Sequence, residues 1–176
     1  MRLFIAVQFP QEVRLSLCHV IDHLREDSVQ GNFTREENLH LTLAFLGEVQ
    51  KPEAVISAMN RVKAEPFPME LGGFGKFSRD GGDIYWVGVR PNEPLSLLYE
   101  NLWAQLTQIG FHKENRPFRP HLTLGREVLT KPGFDRKLFE KSVPAMRLNV
   151  TEIHLMKSER IAGKLVYTSI FAKPLE

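Results

Sequence analysis

A short motif occurs twice in the chain. The first copy lies in Asn38-Leu39-His40-Leu41-Thr42-Leu43, and from the histidine onward it recurs in the second half of the chain as His121-Leu122-Thr123-Leu124. Side chains alternate between the two faces of a β-strand, so His40 and Thr42 should share one face and the leucines the other. The same holds for His121 and Thr123. Each copy therefore predicts a strand with one apolar face and one face that carries an imidazole and a hydroxyl.

The repeat extends beyond this motif. The shift along the sequence that carries His40 onto His121 also places the apolar stretch Leu3–Phe9 on Ile84–Arg90, and a third such stretch is Leu165–Phe171. All three are rich in the β-branched and aromatic residues that favour strands. Self-similarity at a fixed spacing indicates repeated structural units. We expect two similar units, approximately residues 1–81 and 82–176.

Helical periodicity marks the segments between the strands. The expected helices are Pro10–Leu24, Pro52–Lys63, Pro94–Ile109 and Phe134–Lys141, and further strands are expected at Met69–Phe77 and Met146–Lys157. The order strand, helix, histidine strand, helix, strand thus occurs twice and is followed by a final strand. This predicts an α+β fold in which two pseudo-twofold-related lobes face a central cleft with antiparallel sheets, and helices lie outside. Since no polar linker separates the halves, residues 1–176 should form one domain.

The composition is that of a soluble globular protein, with 43% hydrophobic and 25% charged residues. The single cysteine, Cys18, excludes an internal disulfide and indicates a reducing compartment. Cys18 lies in an apolar, helix-like stretch, which favours a packing role over a nucleophilic one. The N-terminus lacks the features of a signal peptide, and no apolar segment is long enough to span a membrane. We expect a cytoplasmic protein with no membrane partner.

The net charge is +2 and the isoelectric point about 8.7. These values exclude the strong positive field of a protein that binds duplex nucleic acid along a large surface. An anionic partner would have to be held locally.

Two His/Thr pairs that face each other across a cleft would form a symmetrical anion site. In-line displacement at phosphorus requires a base beside the attacking oxygen and an acid beside the leaving oxygen. Histidine suits both roles, because its ordinary pKa near 6.5 allows one imidazole to be neutral and another protonated. The hydroxyls of Thr42 and Thr123 would donate hydrogen bonds to the nonbridging oxygens. This arrangement requires no metal, and His40 and His121 are its candidate acid and base.

The paired motifs resemble the two HxTx signatures of the 2H phosphoesterase superfamily, and most closely those of bacterial and archaeal RNA 2′,3′-cyclic phosphodiesterases, also described as 2′–5′ RNA ligases. The flanking segments Asn38–Gly47 and Arg116–Arg126 fit as well, and the resemblance covers essentially the whole chain. It implies hydrolysis of RNA 2′,3′-cyclic phosphate ends to 2′-phosphomonoesters. It also implies that His40 is the proton donor and that His121 is the proton acceptor, which activates water.

Other candidates carry weaker signals. Arg126 lies five residues after His121, on the opposite face of an ideal strand, so that binding phosphate would require a bulge. A solvated arginine at a strand end is the alternative. Arg116 and Arg119 flank Phe118 and could hold RNA by charge and stacking, although the neighbouring prolines also fit a plain loop. Phe45 either lines the cleft or packs in the core, and we expect the core.

Two further functions remain open from the sequence. The same histidines could let a 5′-hydroxyl attack the cyclic phosphate, which would make the protein a 2′–5′ RNA ligase acting on tRNA-type fragments. A non-catalytic protein that binds RNA ends is the other. We expect a monomer that binds RNA ends or small nucleotides bearing a 2′,3′-cyclic phosphate. Neither His19 with His23 nor the glycines of Gly72–Gly75 match a metal or nucleotide motif, so no cofactor is expected.

Overall fold

The computed structural model describes residues Met1–Glu176. Nine strands and four helices follow in this order: β1 (Arg2–Gln8), α1 (Gln11–Glu26), β2 (Ser28–Phe33), β3 (His40–Glu48), α2 (Pro52–Asn60), β4 (Phe67–Phe77), β5 (Asp83–Val89), α3 (Glu93–Gln108), β6 (His121–Thr130), α4 (Arg136–Ser142), β7 (Met146–Val150), β8 (Glu152–Ile161) and β9 (Lys164–Pro174). A short 3₁₀ turn, Glu36–Asn38, precedes β3.

The strands form two antiparallel sheets. The order in the four-stranded sheet is β3-β1-β8-β9, and the order in the five-stranded sheet is β2-β6-β5-β4-β7. Every neighbouring pair is antiparallel. The predicted α+β fold with two antiparallel sheets is therefore confirmed.

The helices bury their apolar stripes against the sheets. The buried residues of α1 are Val13, Leu17, Val20, Ile21 and Leu24, at the spacing expected for one helical face. They belong to a core that also contains Leu3, Ile5 and Val7 of β1. The other face of β1 forms a separate small cluster with β8, consisting of Phe4, Ala6 and Met156. Strand β1 thus presents one face to the main core and one face away from it.

Capping residues explain where α3 begins and ends. The side chain of Asn92 accepts a hydrogen bond of 2.9 Å from the backbone N–H of Leu95, which satisfies one free donor of the first turn. After the last turn, Gly110 has φ +100°, a conformation that glycine adopts without steric cost. The helix accordingly covers most of the segment that its periodicity predicts.

The two halves of the sequence do not correspond to the two sheets. Strands β2 and β4 of the first half lie in the five-stranded sheet, whereas β8 and β9 of the second half lie in the four-stranded sheet with β1. The expected boundary between residues 81 and 82 therefore does not separate the two sheets. It falls in the turn that joins β4 to β5, and a turn this short makes the two strands antiparallel neighbours.

Two strands differ from the sequence prediction. The expected strand Met146–Lys157 is two strands, since β7 pairs with β4 in one sheet and β8 pairs with β1 in the other. The chain changes sheets at Thr151, between them. Strand β2 was not predicted, because its sequence Ser-Val-Gln-Gly-Asn-Phe has little apolar alternation.

None of the helices combines the length and apolar character needed to cross a membrane.

Candidate active site

The two histidine strands meet where the sheets approach each other. Strand β3 is an edge strand of the four-stranded sheet, and it lies against β6 of the other sheet. Both strands begin at their histidine. Leu41 and Leu122 are fully buried, whereas the histidine and threonine on either side of each leucine are half-buried. The predicted alternation is confirmed, and both His/Thr pairs lie on faces that reach solvent.

Both imidazoles are held by a backbone carbonyl two residues earlier. The Nδ1 atom of His40 lies 2.7 Å from the carbonyl oxygen of Asn38, and that of His121 lies 2.7 Å from the carbonyl oxygen of Arg119. A carbonyl only accepts hydrogen bonds, so each Nδ1 carries the proton and donates it. The neutral rings therefore leave Nε2 as the atom that gains or loses a proton. Nothing in the sequence pattern indicates these two carbonyls.

The Nε2 atoms differ in their surroundings. His40 Nε2 lies 2.8 Å from Thr42 Oγ1, within hydrogen-bond distance. No corresponding bond joins Thr123 to His121, whose Nε2 has no partner within the chain. The symmetry of the motif is therefore broken at the level of hydrogen bonds.

Both motif strands contain a bulge immediately after the threonine. Ile5 faces Ala44 and Ala6 faces Thr42, which leaves Leu43 without a partner. In the same way Tyr85 faces Gly125 and Trp86 faces Thr123, which leaves Leu124 without a partner. A bulge adds one residue to one strand and reverses the alternation that follows.

The strand pairing also corrects the predicted equivalence between β1 and β5. Gln8 faces His40 and Gly88 faces His121, so Gln8 is equivalent to Gly88. The sequence shift that relates β1 to β5 is therefore one residue shorter than the shift that relates His40 to His121. The histidine strands keep the spacing that the repeated motif defines. The apolar character of both β1 and β5 conceals this difference in the sequence.

The bulges bring Phe45 and Arg126, which occupy equivalent positions, onto the face of the histidines. Phe45 is 69% exposed, so its expected place in the core is wrong. Arg126 is exposed, and its charge acts on His40 and on Tyr167 of β9. The bulge that a role for Arg126 requires is thus present. Strand β3 thus contributes an aromatic ring to the face of the histidines, and β6 contributes a positive charge.

Burial and charge perturb the groups around His40. Burial lowers the pKa of His40, the hydrogen bond to the Asn38 carbonyl opposes this, and the charge of Arg126 lowers the pKa further. Burial raises the pKa of the Tyr167 phenol, whereas Arg126 and two other arginines lower it. A histidine with a lowered pKa is the stronger proton donor once it is protonated.

Aromatic rings flank both histidines. The ring centroids of Phe4 and Tyr167 lie 4.9 and 5.2 Å from that of His40. Those of Phe77 and Trp86 lie 5.2 and 6.2 Å from that of His121. None of these four rings was among the sequence candidates, because their apolar strands gave no signal beyond packing.

The segment before β6 holds the remaining candidates. Phe118 stacks on Tyr99 with ring centroids 3.9 Å apart and planes 3° apart, so one of its faces is occupied within the protein. Arg116 forms an ion pair with Glu114 on the surface. Arg119 is exposed and lines a cavity beside His121. Only Arg119 of these three therefore lies next to the histidine site.

Two of the other histidines and the cysteine lie in structural contacts. His23 pairs with Asp27 at 3.6 Å and packs on Phe139. His154 is buried between Ser169 and Glu152, with hydrogen-bond distances of 2.8 and 2.9 Å. Cys18 packs against the core, and burial raises the pKa of its thiol, which favours the unreactive form. Nowhere do three or more potential metal-binding side chains of His, Cys, Asp or Glu converge.

Comparison with protein families finds that the model of the 2′-5′ RNA ligase superfamily matches residues 13–162. The RNA 2′,3′-cyclic phosphodiesterase of Thermotoga maritima is 32% identical over 176 residues, which cover 97% of this chain and 94% of that protein. The RNA 2′,3′-cyclic phosphodiesterase of Escherichia coli is 33% identical over 178 residues, covering 96% of this chain and 93% of that protein.

Solved structures give a matching result. Escherichia coli LigT in its apo form superimposes with a TM-score of 0.80 at 30% identity, over 99% of this chain and 96% of that one. LigT complexed with 3′-AMP gives a TM-score of 0.80 at 30% identity, over 99% and 97% of the two chains. The similarity extends over the whole fold, including both histidine strands.

Proposed function

Since the chain belongs to the 2′-5′ RNA ligase superfamily, we propose that it is an RNA 2′,3′-cyclic phosphodiesterase that opens cyclic phosphate ends to 2′-phosphomonoesters. Curated relatives of this name align over almost the full length of the chain. The substrates are RNA ends or small nucleotides that carry a 2′,3′-cyclic phosphate. The two histidines and two threonines of the repeated motif are the proposed site.

Hydrolysis proceeds by in-line attack of water on the cyclic phosphate. His121 Nε2 accepts a proton from the water as its oxygen bonds to phosphorus. The bond from phosphorus to the 3′ oxygen breaks, and His40 Nε2 gives that oxygen its proton. The product carries a 2′-phosphate and a free 3′-hydroxyl. A second proton transfer through solvent returns both imidazoles to their starting states.

The observation that carries this proposal is the matching orientation of the two imidazoles. Each Nδ1 donates to a carbonyl at 2.7 Å, which leaves Nε2 as the atom for proton transfer in both rings, without a partner in His121 and bonded to the Thr42 hydroxyl in His40. A histidine that only packed in the fold would not need the same tautomer in both copies. The carbonyls fix both rings before substrate binds, which lowers the cost of orienting them in the transition state.

The polar groups around the site suit a phosphate. The Thr123 hydroxyl, and the Thr42 hydroxyl once protonated His40 no longer accepts its proton, donate to the nonbridging oxygens, where negative charge accumulates, and Arg126 supplies a positive charge. In the free protein this charge and burial disfavour protonation of His40. The negative charge of a bound phosphate offsets both effects, so substrate binding promotes the protonated His40 that the reaction needs.

The test is turnover of an oligonucleotide with a 2′,3′-cyclic phosphate end, in EDTA, by the wild type and by His40→Ala and His121→Ala. Each substitution should lower kcat/KM by about 10²–10⁴-fold, the usual contribution of a general acid or base. His19→Ala, an exposed histidine on α1, is the matched control and should retain full activity. Full activity of either site variant, or loss of wild-type activity in EDTA, would contradict the proposal.

A further inference from the structure

The face of the four-stranded sheet that carries His40 extends beyond the proposed site. Its floor is the small buried cluster of Phe4, Ala6 and Met156. The ring centroids of His40 and Tyr167 each lie 4.9 Å from that of Phe4. Further polar side chains lie around Met156, and the proposed reaction uses none of them.

The strand register places three of these polar side chains. Gln8 pairs with His40, and Ser169 pairs with Met156. His154 lies two residues before Met156 on β8. Opposite residues of an antiparallel pair, and alternate residues of one strand, point to the same face of a sheet. All three side chains therefore share the face of His40, where Gln8 and Ser169 are exposed and His154 is buried.

A chain of hydrogen bonds fixes the direction of the Ser169 hydroxyl. His154 Nε2 lies 2.9 Å from Glu152 Oε1, and His154 Nδ1 lies 2.8 Å from Ser169 Oγ. A carboxylate only accepts hydrogen bonds, so Nε2 of the neutral imidazole carries the proton and Nδ1 is left as an acceptor. The Ser169 hydroxyl must then donate its proton to Nδ1. Its oxygen presents only lone pairs to the cleft.

Two further groups on this face offer acceptor atoms. Gln8 Nε2 lies 3.4 Å from Met156 Sδ, which has no proton to donate, so the amide N–H donates to the sulfur. The carbonyl oxygen at the other end of the amide is consequently turned away from Met156. The second carboxylate oxygen of Glu152 makes no hydrogen bond within the chain, and 44% of this side chain is exposed. We call the side chains of Gln8, Glu152 and Ser169 the acceptor cluster.

The direction of the proposed reaction brings a nucleobase to this face. The 3′ oxygen leaves next to His40, so the ribose of the cyclic phosphate lies on the side of the four-stranded sheet. The base attached to that ribose extends over the same sheet. Cytosine offers an amino group as a hydrogen-bond donor where uracil has a carbonyl oxygen. Acceptor atoms bind the amino group and repel the carbonyl oxygen.

We infer that the acceptor cluster is the nucleobase subsite of the cyclic phosphate substrate, and that it selects bases with an exocyclic amino group over uracil. This inference rests on the proposed function. The amino group donates its two protons to Ser169 Oγ and to the Gln8 carbonyl oxygen, and the negative charge of Glu152 stabilises the electropositive amino hydrogens. His154 is a positioning residue, because it holds the Ser169 proton away from the base.

The test is hydrolysis of cytidine and uridine 2′,3′-cyclic phosphates at pH 8. The two substrates have the same ribose, the same cyclic phosphate and the same leaving oxygen, so their intrinsic reactivities are similar. The subsite predicts a kcat/KM about tenfold or more higher for the cytidine substrate, the scale on which paired hydrogen bonds discriminate between bases.

Two substitutions locate this preference in the acceptor cluster. Gln8→Met keeps the length of the side chain but removes its carbonyl oxygen, and Ser169→Ala removes the hydroxyl. Each should lower the ratio of the two kcat/KM values by about threefold or more, the scale of one hydrogen bond. Thr168→Ala, an exposed neighbour on the opposite face of β9, is the matched control and should keep the ratio. An unchanged ratio in either cluster variant would overturn the subsite.

His154→Leu tests the direction of the hydroxyl. Without the imidazole, the Ser169 hydroxyl is free to donate to the uracil carbonyl, so the ratio should fall below the value measured for Ser169→Ala. A ratio at or above that value would remove His154 from base recognition. The ratio of two activities on one preparation does not depend on the fraction of folded enzyme.

The wild-type activities separate failure of the subsite from failure of the proposed function. Wild-type protein that hydrolyses neither substrate would overturn the proposed function and the subsite with it. Wild-type protein that hydrolyses both substrates with equal kcat/KM would overturn the subsite alone.

Discussion

At the residue scale, the two copies of the motif share one tautomer but differ in the hydrogen bonds and the charge around the histidine. Each histidine donates through Nδ1 to a carbonyl two residues earlier. The charge of Arg126 acts on His40, and the equivalent position of the other copy is the uncharged Phe45. Burial and this charge together lower the pKa of His40, which makes its protonated imidazole a stronger acid.

Substituting Arg126 tests the electrostatic part of this account. Removing a positive charge favours the protonated imidazole, so Arg126→Gln should raise the pKa of His40 above its wild-type value. The measurement is an NMR titration of the imidazole resonances in the free protein. Arg116→Gln, which removes a charge already paired with Glu114, should leave the pKa of His40 unchanged. An unchanged or lowered value in Arg126→Gln would show that Arg126 does not act on this ring.

Substituting Thr123 tests the role of its hydroxyl. Thr123→Val keeps the shape of the side chain but removes the donor to the nonbridging oxygen, and should lower kcat by about 10²-fold. Thr123→Ser keeps the hydroxyl and should retain most of the activity. Steady-state kinetics on a cyclic phosphate end measures both. Equal activities of the two variants would remove the hydroxyl from the mechanism.

The sequence was sufficient to find His40, Thr42, His121 and Thr123, because a repeat at constant spacing is visible without a structure. It could not reveal Tyr167, which lies in a strand far along the chain and reaches His40 through sheet pairing. Contacts of this kind depend on strand order, which local sequence patterns do not encode.

At the element scale, two bulges determine what surrounds the histidines. The alternation predicted for β3 and β6 holds as far as Thr42 and Thr123, and it reverses after Leu43 and Leu124. An ideal strand would turn Phe45 and Arg126 away from the site. The spacing of Arg126 from His121 indicates that a bulge is needed, but the sequence does not locate it, because leucine occupies bulged and regular positions alike.

The turn between β4 and β5 supports the end of the second bulged strand. Gly82 has φ +134°, and a Cβ atom there would lie 2.5 Å from the backbone of Glu127. Gly82→Ala should therefore lower the free energy of unfolding by roughly 2 kcal/mol or more, through backbone strain and overpacking. Urea unfolding followed by circular dichroism measures this.

The neighbouring glycine provides the control for that substitution. Gly81 has φ +81°, but a Cβ atom there would meet nothing within 4 Å. Gly81→Ala should cost only the conformational strain, about 1 kcal/mol. Equal destabilisation by the two substitutions would mean that contact with Glu127 is unimportant.

At the scale of the whole molecule, the two sheets exchange strands between the halves of the chain. Strand β1 lies between β3 and β8, and β4 lies between β5 and β7. The segment before β3 adds a further link, because Thr34 Oγ1 donates to the carbonyl of Thr123 at 2.8 Å and Asn38 Nδ2 donates to that of Leu165 at 3.0 Å. We propose that the chain folds as one cooperative domain.

Separating the halves tests that proposal. A fragment of residues 1–81 would leave β1 without β8 and β4 without β5, and should be unfolded by NMR and far-UV circular dichroism. The fragment of residues 82–176 should behave in the same way. The intact chain should unfold in a single transition seen equally by fluorescence and circular dichroism. A fragment with dispersed NMR signals would identify an independent lobe instead.

The position of the phosphate in the product tests the central claim most directly. An oligonucleotide with a 2′,3′-cyclic phosphate end is incubated with the protein in EDTA, and the terminal phosphate is identified by ³¹P NMR. Protonation of the 3′ oxygen by His40 predicts a 2′-phosphomonoester as the sole product. A 3′-phosphomonoester would contradict the assignment of His40 as the acid and His121 as the base.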